Sequence, residues 1–401
     1  MKVLHIAAGS QGGARIAAER LCHIQKLYGL HSEIYPDKQI YVKNRLVYFI
    51  ESILSKCVTI LQKYWTKKAY GIFSSFSISR RIEKLLRSQS YDLVHVHNWF
   101  NLLSLREIKR ISQKVPIIFT LHDERLLTGG CHNSLGCNSY KQKCVSCPGV
   151  KFGSKLVEYS KKNTEDLFTS LNQYAVIFPS TWLFMRAREE NVFKYSKICR
   201  VIPNITLIEE NWNYQNLYLQ KSKIQNEVVF VAADLNDPKK GLNILIDAIN
   251  MLADKGIDLH FHIVGNASKF RRHIDIKVPH TIHGYLEEKF LNQLLDRVNI
   301  IAIPSLTDNL PSVAIEGLKS KCIIVGTRVG GIPSLVKDNV TGFLANPNAK
   351  DISSKIEIAL SLQENVLNEM RFAITEFTKQ NFSTESIYEA HIEIYKEVIG
   401  L

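Results

Sequence analysis

No apolar run in this 401-residue chain approaches the roughly 18 residues that a membrane-spanning helix needs. The amino-terminal MKVLHIAAGSQGG also lacks the long apolar stretch of a secretory signal, so the sequence predicts a cytoplasmic protein. Cysteine is scarce, at eight residues, and that excludes a secreted disulfide scaffold. There is no internal repeat of fixed period and no low-complexity segment. Acidic residues are outnumbered, 38 against 51 Lys and Arg, and the resulting +13 admits nucleic acid, an anionic membrane surface or phosphate-bearing ligands as partners. With 45% hydrophobic and 22% charged residues the chain is too balanced for disorder, and its length predicts two domains of about 150 residues or more.

The chain opens as a βαβ unit: the apolar run KVLHIAA, the flexible turn GSQGGA, then helical spacing to a glycine stop. Further buried strands are predicted at 92–97 (DLVHVH), 116–122 (PIIFTLH), 174–180 (YAVIFPS) and 198–204 (ICRVIPN). Residues 205–226 lack a strong period and read as a connection with a short helix. The pattern then restarts with EVVFVAAD, DLHFHIVG, HTIHGY, NIIAIPS and CIIVGT between helical runs, and the tail from about 363 holds two helices and no strand. Apolar strands alternating with helices imply parallel sheets covered on both faces. The predicted fold class is therefore α/β, two doubly wound Rossmann-like domains with a ligand in the cleft facing the carboxyl ends of both sheets. The expected boundaries are 1–205, 206–375, and 376–401 as a helix crossing back to the first domain.

Residues 38–87 carry eleven Lys and Arg against two Glu, and Leu46, Ile50, Ile53, Leu54, Cys57, Ile60, Leu61 and Tyr64 share a helical face there. Such a stretch is either a helix lying on anionic headgroups or an ordinary domain helix with a solvated basic side.

The densest chemistry is PSLTDNLPSVAIEGLKSKCIIVGTRVGG at 304–331. Asp308 falls in a loop after a strand, with Leu310, Ser312 and Val313 at the mouth of the next helix and Glu316 inside it. Free amides at that mouth suit a diphosphate. A carboxylate one or two turns in can bind the vicinal hydroxyls of a ribose, and the loop acid can hold a sugar hydroxyl. Lys240 precedes Gly241 at a second helix mouth, where an ammonium can neutralise a diphosphate. Gly12 and Gly13 lie in the first turn, but GSQGGA is not the three-glycine dinucleotide fingerprint. His95 and His97 alternate onto one face of their strand, and His122 and Asp123 close the next.

These blocks resemble the retaining nucleotide-sugar glycosyltransferases of the GT-B architecture, family 4 (glycosyl transferases group 1). The matching residues are Asp308, Glu316, Gly330, Gly331 and Gly342-Phe343-Leu344. The resemblance implies that Glu316 binds the nucleotide ribose, that Asp308 and His122 hold the donor sugar, and that Gly12 and Gly13 approach donor phosphate and acceptor. Gly265 and Tyr285 would flank the base, while His97, Asn98 and Asp123 would face the acceptor. Two positions depart from the family: Asp308 stands where Glu is usual, and Asp234 stands where an Arg commonly helps the lysine, so phosphate binding leans on Lys240 or recruits Arg328.

Cys131, Cys137, Cys144 and Cys147 form a cluster after LTGG, and it either holds a structural zinc or packs a loop as reduced thiols. Family members of bacterial surface polysaccharide synthesis (capsule, exopolysaccharide, O-antigen or lipopolysaccharide) carry a similar TGGCH and multi-Cys insertion. The implied reaction moves a hexosyl group with retention to a hydroxyl of a glycan or polyprenyl-diphosphate-linked acceptor. It needs no cofactor, since no DxD acid pair stands in a suitable loop. Localisation would be cytoplasmic, with peripheral attachment at the inner face of the membrane. The alternatives are an epimerase or hydrolase of sugar nucleotides, or a basic nucleic-acid-binding protein. The last is disfavoured because the acid pair in a phosphate-facing loop would repel a polyanion.

Overall fold

The computed structural model describes residues 1–9, 12–35, 57, 60, 64–66, 90–100, 102–206, 224–266 and 275–401. Backbone contacts divide the chain into two compact units, Met1–Ile205 with Glu385–Leu401 and Thr206–Thr384.

In the first unit, strands β1 (Lys2–Ala7), β2 (His31–Tyr35), β3 (Leu93–Asn98), β4 (Ile117–Thr120), β5 (Tyr174–Phe178) and β6 (Ile198–Val201) form a parallel sheet in the order β2-β1-β3-β4-β5-β6. Every residue of β4 and β5 is buried, as strands covered on both faces must be. The connecting helices are α1 (Gly13–Leu27), α2 (Leu105–Ser112), α3 (Ser154–Ser170) and α4 (Thr181–Glu190). Helix α2 begins at a capping box: Ser104 accepts from the Glu107 amide, and the Glu107 carboxylate accepts from the Ser104 amide.

The second unit repeats the plan. Strands β7 (Ile224–Asp234), β8 (His260–Asn266), β9 (His280–Gly284), β10 (Val298–Ile303), β11 (Ile323–Thr327) and β12 (Gly342–Ala345) run parallel in the order β12-β11-β10-β7-β8-β9. Its helices are α5 (Leu242–Asp254), α6 (Glu288–Arg297), α7 (Ser312–Lys319), α8 (Ala349–Leu360) and α9 (Glu364–Phe382). Val228, Ile249, Ile301, Ile315 and Ile324 meet in its core at 0% exposure.

Helix α10 (Thr384–Ile399) belongs to the first unit, where Ile394, Tyr395 and Val398 are buried. The expected boundary at 375 falls inside α9, because Met370, Ile374 and Phe377 carry the apolar face of that helix into the second core. Strands β2 and β12 were not predicted. β2 is a half-exposed edge strand that opens with three polar residues, His31, Ser32 and Glu33, and β12 is only four residues long, so neither shows a readable apolar run.

Most of the basic stretch 38–87 and residues 207–223 lie outside the described residues. Of the apolar face proposed for 38–87, Ile60 is 55% and Tyr64 74% exposed, while Thr66 bridges Val150 and the Trp65 indole donates to Phe152 O. Among the described residues, no helix is long and apolar enough to cross a membrane.

Candidate functional site

The second unit holds the acid and lysine candidates at the carboxyl end of its sheet. Lys240 closes a short turn before α5, and its ammonium donates to Asp308 Oδ2 at 2.6 Å. Burial works against the Lys240 charge, but the adjacent Asp308 carboxylate outweighs it and holds the ammonium above its ordinary pKa. Two glycines fix this meeting. Gly241 has φ +73, and a Cβ there would lie 2.0 Å from Pro304 O, so the lysine turn can press against the chain leaving β10. The Leu306 amide donates to Lys239 O at 2.7 Å across the same contact. Gly330 has φ +58, a Cβ there would lie 1.8 Å from Asp308 O, and the Gly331 amide donates to that same carbonyl at 3.0 Å. The Gly-Gly turn thus clamps the backbone of Asp308 from the other side.

From Asp308 the chain enters α7. Pro311 precedes the helix without a side-chain cap, Ser312 and Val313 open it, and Glu316 lies one turn in, 6% exposed. Leu310 is buried in the core, so its side chain anchors the loop rather than facing a ligand. Arg328 donates to Asp338 Oδ2 at 2.5 Å, so the base suggested as a substitute for the missing arginine already has a carboxylate partner. Gly265 lies in β8 with φ +150, where a Cβ would strike Ala232 O. Tyr285, just after β9, is 75% exposed.

The first unit brings His5, His95, His97 and His122 together on its sheet. Parallel register sets His5 of β1 beside His95 of β3, and the pleat turns His95 and His97 to the same face with ring centroids 4.1 Å apart. His122 follows β4, and its Nε2 lies 3.1 Å from His97 Nδ1. His97 Nε2 lies 3.0 Å from His5 Nδ1, and His5 Nε2 is 2.8 Å from Gln25 Oε1 of α1. A side branch runs from Gln25 Nε2 to the Tyr395 hydroxyl of α10 (3.0 Å), from there to His95 Nδ1 (2.7 Å), and from His95 Nε2 to Thr120 Oγ1 (2.7 Å). Burial drives His5 and His122 down to about 4 and His95 and His97 well below the usual imidazole range, so all four rings are neutral at pH 7. His5, Gln25, Thr120 and Tyr395 were not singled out from the sequence.

Asn98 Oδ1 accepts from the Phe100 amide, and Asp123 accepts from the Arg125 amide while its carboxylate sits 3.5 Å from His132 and 3.6 Å from Arg125. Gly12 caps α1 at φ +124, a conformation only glycine takes easily, and among the described residues nothing lies within 4 Å of a Cβ at Gly12 or Gly13.

The four clustered cysteines share one loop. Cys131 and Cys144 are buried with Tyr140, Val150 and Val157, Cys147 packs against them, and Cys137 accepts from the Ser139 amide. Burial pushes the Cys131 thiol up to about 12 and Cys144 up to about 11. Among the described residues, only His5, His95 and His97 bring three His, Cys, Asp or Glu donor atoms all within 4.8 Å of one another, so the cysteine sulfurs do not converge as a zinc tetrad would. Beneath this loop, Glu124 is 2% exposed and pairs with Arg186 at 3.1 Å.

Two family models match the chain: Glycosyl transferases group 1 over residues 225–361 and Glycosyltransferase Family 4 over residues 51–143. A 41.2 kDa protein in the cps region of Klebsiella pneumoniae is 22% identical over 99% of both chains. The amylovoran biosynthesis glycosyltransferase AmsK of Erwinia amylovora is 24% identical over 46% of this chain and 48% of its own. Among solved structures, Anabaena HepE in complex with UDP-glucose is similar with a TM-score of 0.63 at 16% identity, over 99% of this chain and 100% of that one. With two parallel six-stranded sheets, both family models and these relatives, the chain belongs to the group 1 and family 4 glycosyltransferases, hexosyltransferase-type enzymes with the GT-B fold.

Proposed function

We propose that this glycosyltransferase takes a hexosyl group from a nucleoside-diphosphate sugar and transfers it, with retention of configuration, to a hydroxyl of a glycan or polyprenyl-diphosphate-linked acceptor in bacterial surface polysaccharide synthesis. The observation that carries the reading is the Lys240–Asp308 pair, locked by Gly241 and Gly330 beside the uncapped start of the helix that bears buried Glu316. An ammonium has three donors, so Lys240 can hold Asp308 and still donate to phosphate oxygens. With the first amides of α7 it neutralises the departing diphosphate without a divalent ion. Glu316 takes the ribose hydroxyls, Asp308 takes a hydroxyl of the donor sugar, and His122 contributes a neutral ring to the same sugar. Gly265 and Tyr285 serve the base, Gly12 and Gly13 approach the donor phosphate and the acceptor, and His97, Asn98 and Asp123 serve the acceptor side. The polysaccharide context is supported by the cps-region and amylovoran relatives, and a uridine donor by the HepE complex. The exposed Ile60 and Tyr64 within the basic stretch favour attachment to an anionic membrane surface.

Uridine-, guanosine- and adenosine-diphosphate sugars offered with a lipid-linked acceptor test this directly. The expected product is a transferred glycan with release of nucleoside diphosphate. Acceptor-independent release of free sugar would make the protein a hydrolase instead. Glu316→Ala is expected to abolish nucleotide binding; unchanged affinity and turnover would remove Glu316 from the site.

A further inference from the structure

We propose that Gln25 and Tyr395 are positioning residues that set the tautomer of His122 from a distance, through a line of hydrogen-bonded neutral histidines. The inference extends the reading that His122 meets the donor sugar. Its starting point is the orientation of one buried amide. Gln25 Oε1 faces both Ser32 Oγ and His5 Nε2 at 2.8 Å, and Gln25 Nε2 donates to the Tyr395 hydroxyl at 3.0 Å. A carbonyl oxygen only accepts, so His5 must carry its hydrogen on Nε2. A neutral imidazole has one N–H, which leaves His5 Nδ1 as an acceptor, and the hydrogen in the 3.0 Å contact must come from His97 Nε2. The same logic passes one ring further: His97 Nδ1 accepts, and His122 Nε2 donates to it at 3.1 Å. His122 therefore holds its proton on Nε2, and whatever Nδ1 meets, it meets as an acceptor. A sugar hydroxyl is a fitting donor to it.

The branch through α10 keeps the amide in place. The Tyr395 hydroxyl accepts from Gln25 and donates to His95 Nδ1, and His95 Nε2 then donates to Thr120 Oγ1. Each member of the branch has its donor and acceptor matched. Occupying both His95 nitrogens in this way also argues against reading His5, His95 and His97 as metal ligands, because a metal would have to displace Tyr395 or Thr120. The last helix of the chain thus bears on a site ring it does not touch, through contacts spanning 370 and 300 positions of sequence.

The test uses the full-length protein with ring-nitrogen-labelled histidine and long-range proton–nitrogen correlation spectra at pH 7.5. His5, His97 and His122 are each expected as the Nε2–H tautomer. A His122 protonated on Nδ1, or one equivalent of zinc retained by the purified protein and lost in His5→Asn, overturns the proposal. Gln25→Leu removes the acceptor at the head of the line and is expected to bring both His122 tautomers into exchange. It should also lower turnover about tenfold, with UDP affinity unchanged. Gln25→Glu keeps an acceptor toward His5 and is expected to restore the single tautomer. A Gln25→Leu protein with the parent His122 spectrum overturns the proposal, and the parent spectrum decides the tautomer even where a variant fails to fold. His122→Ala separates the two layers of the argument. Full turnover in that variant removes His122 from the sugar while leaving the histidine line standing, and a wrong tautomer in the parent does the reverse.

Discussion

Acidification should unfold the first unit far more readily than an ordinary Rossmann-like domain, and its buried histidines supply the magnitude. His5, His122 and His391 are each held down from 6.5 to about 4, with burial the largest cause. The Gln25 hydrogen bond at His5, the Asp123 charge beside His122 and the Ile387 carbonyl at His391 pull weakly the other way. Above pH 7 these rings are neutral in both folded and unfolded chains, so they make no difference to stability. As pH falls through 6.5 the unfolded chain binds a proton at each ring and the folded unit does not, so stability is lost across the window from about 7 down to about 4. At pH 5 each ring costs roughly 2 kcal/mol, and the three together roughly 6 kcal/mol, against a typical domain stability of about 5–15 kcal/mol. His95 and His97 shift the same way and deepen the loss. Amide hydrogen exchange of peptides from β3 and β4, measured from pH 8 to pH 5 after correction for intrinsic rates, reads this unit separately from the other. Opening free energies should fall with a slope of three or more protons between pH 6 and 5, and His391→Phe should make that slope shallower by about one proton. A flat profile between pH 7 and 5 would refute the buried, neutral assignment of these rings.

Other outcomes follow from single contacts. Gly330→Ala forces a Cβ to within 1.8 Å of the Asp308 carbonyl at φ +58, so the Asp308 loop must move. The variant should lose about 1–2 kcal/mol in urea unfolding from the left-handed backbone alone, together with most of its transferase turnover; parent-like turnover would show that Asp308 need not be clamped. Lys240→Gln keeps a donor but removes the charge, and should cost on the order of a hundredfold in turnover, seen as nucleotide release under saturating donor. Arg186→Met leaves the buried Glu124 carboxylate without its counter-charge and should cost about 3 kcal/mol of first-unit stability by urea titration. Freshly purified protein should carry only trace zinc, since the four cysteine sulfurs do not converge on one point; a full equivalent, retained through chelation and lost with Cys144→Ser, would show that the loop closes around a metal.

The two halves of the site differ in how far sequence could reveal them. Asp308, Glu316, Lys240 and the Gly-Gly turn are readable because each sits within a few residues of a strand end or helix start, where local pattern alone sets direction and spacing. The reason Gly330 must be glycine is already non-local: its Cβ would strike a carbonyl of a loop that precedes it by a helix and a strand. The histidine line goes further. His5 looks like a polar interruption in an apolar run, Gln25 like one polar residue on α1, and Tyr395 like part of an amphipathic terminal helix. They meet only because parallel pairing sets β1 beside β3 with His5 opposite His95, and because α10 packs back onto the unit that begins the chain. Strand register carries no signature in a single sequence, and expecting the last helix to return to the first domain does not say which side chains it meets there. Yet burying polar groups without partners would cost each about 1–3 kcal/mol, so a polar residue in an otherwise unbroken apolar strand points to a partner elsewhere. In this chain that rule leads from His5 and His95 to Gln25, Tyr395 and Thr120, and through His97 to the ring at the end of β4.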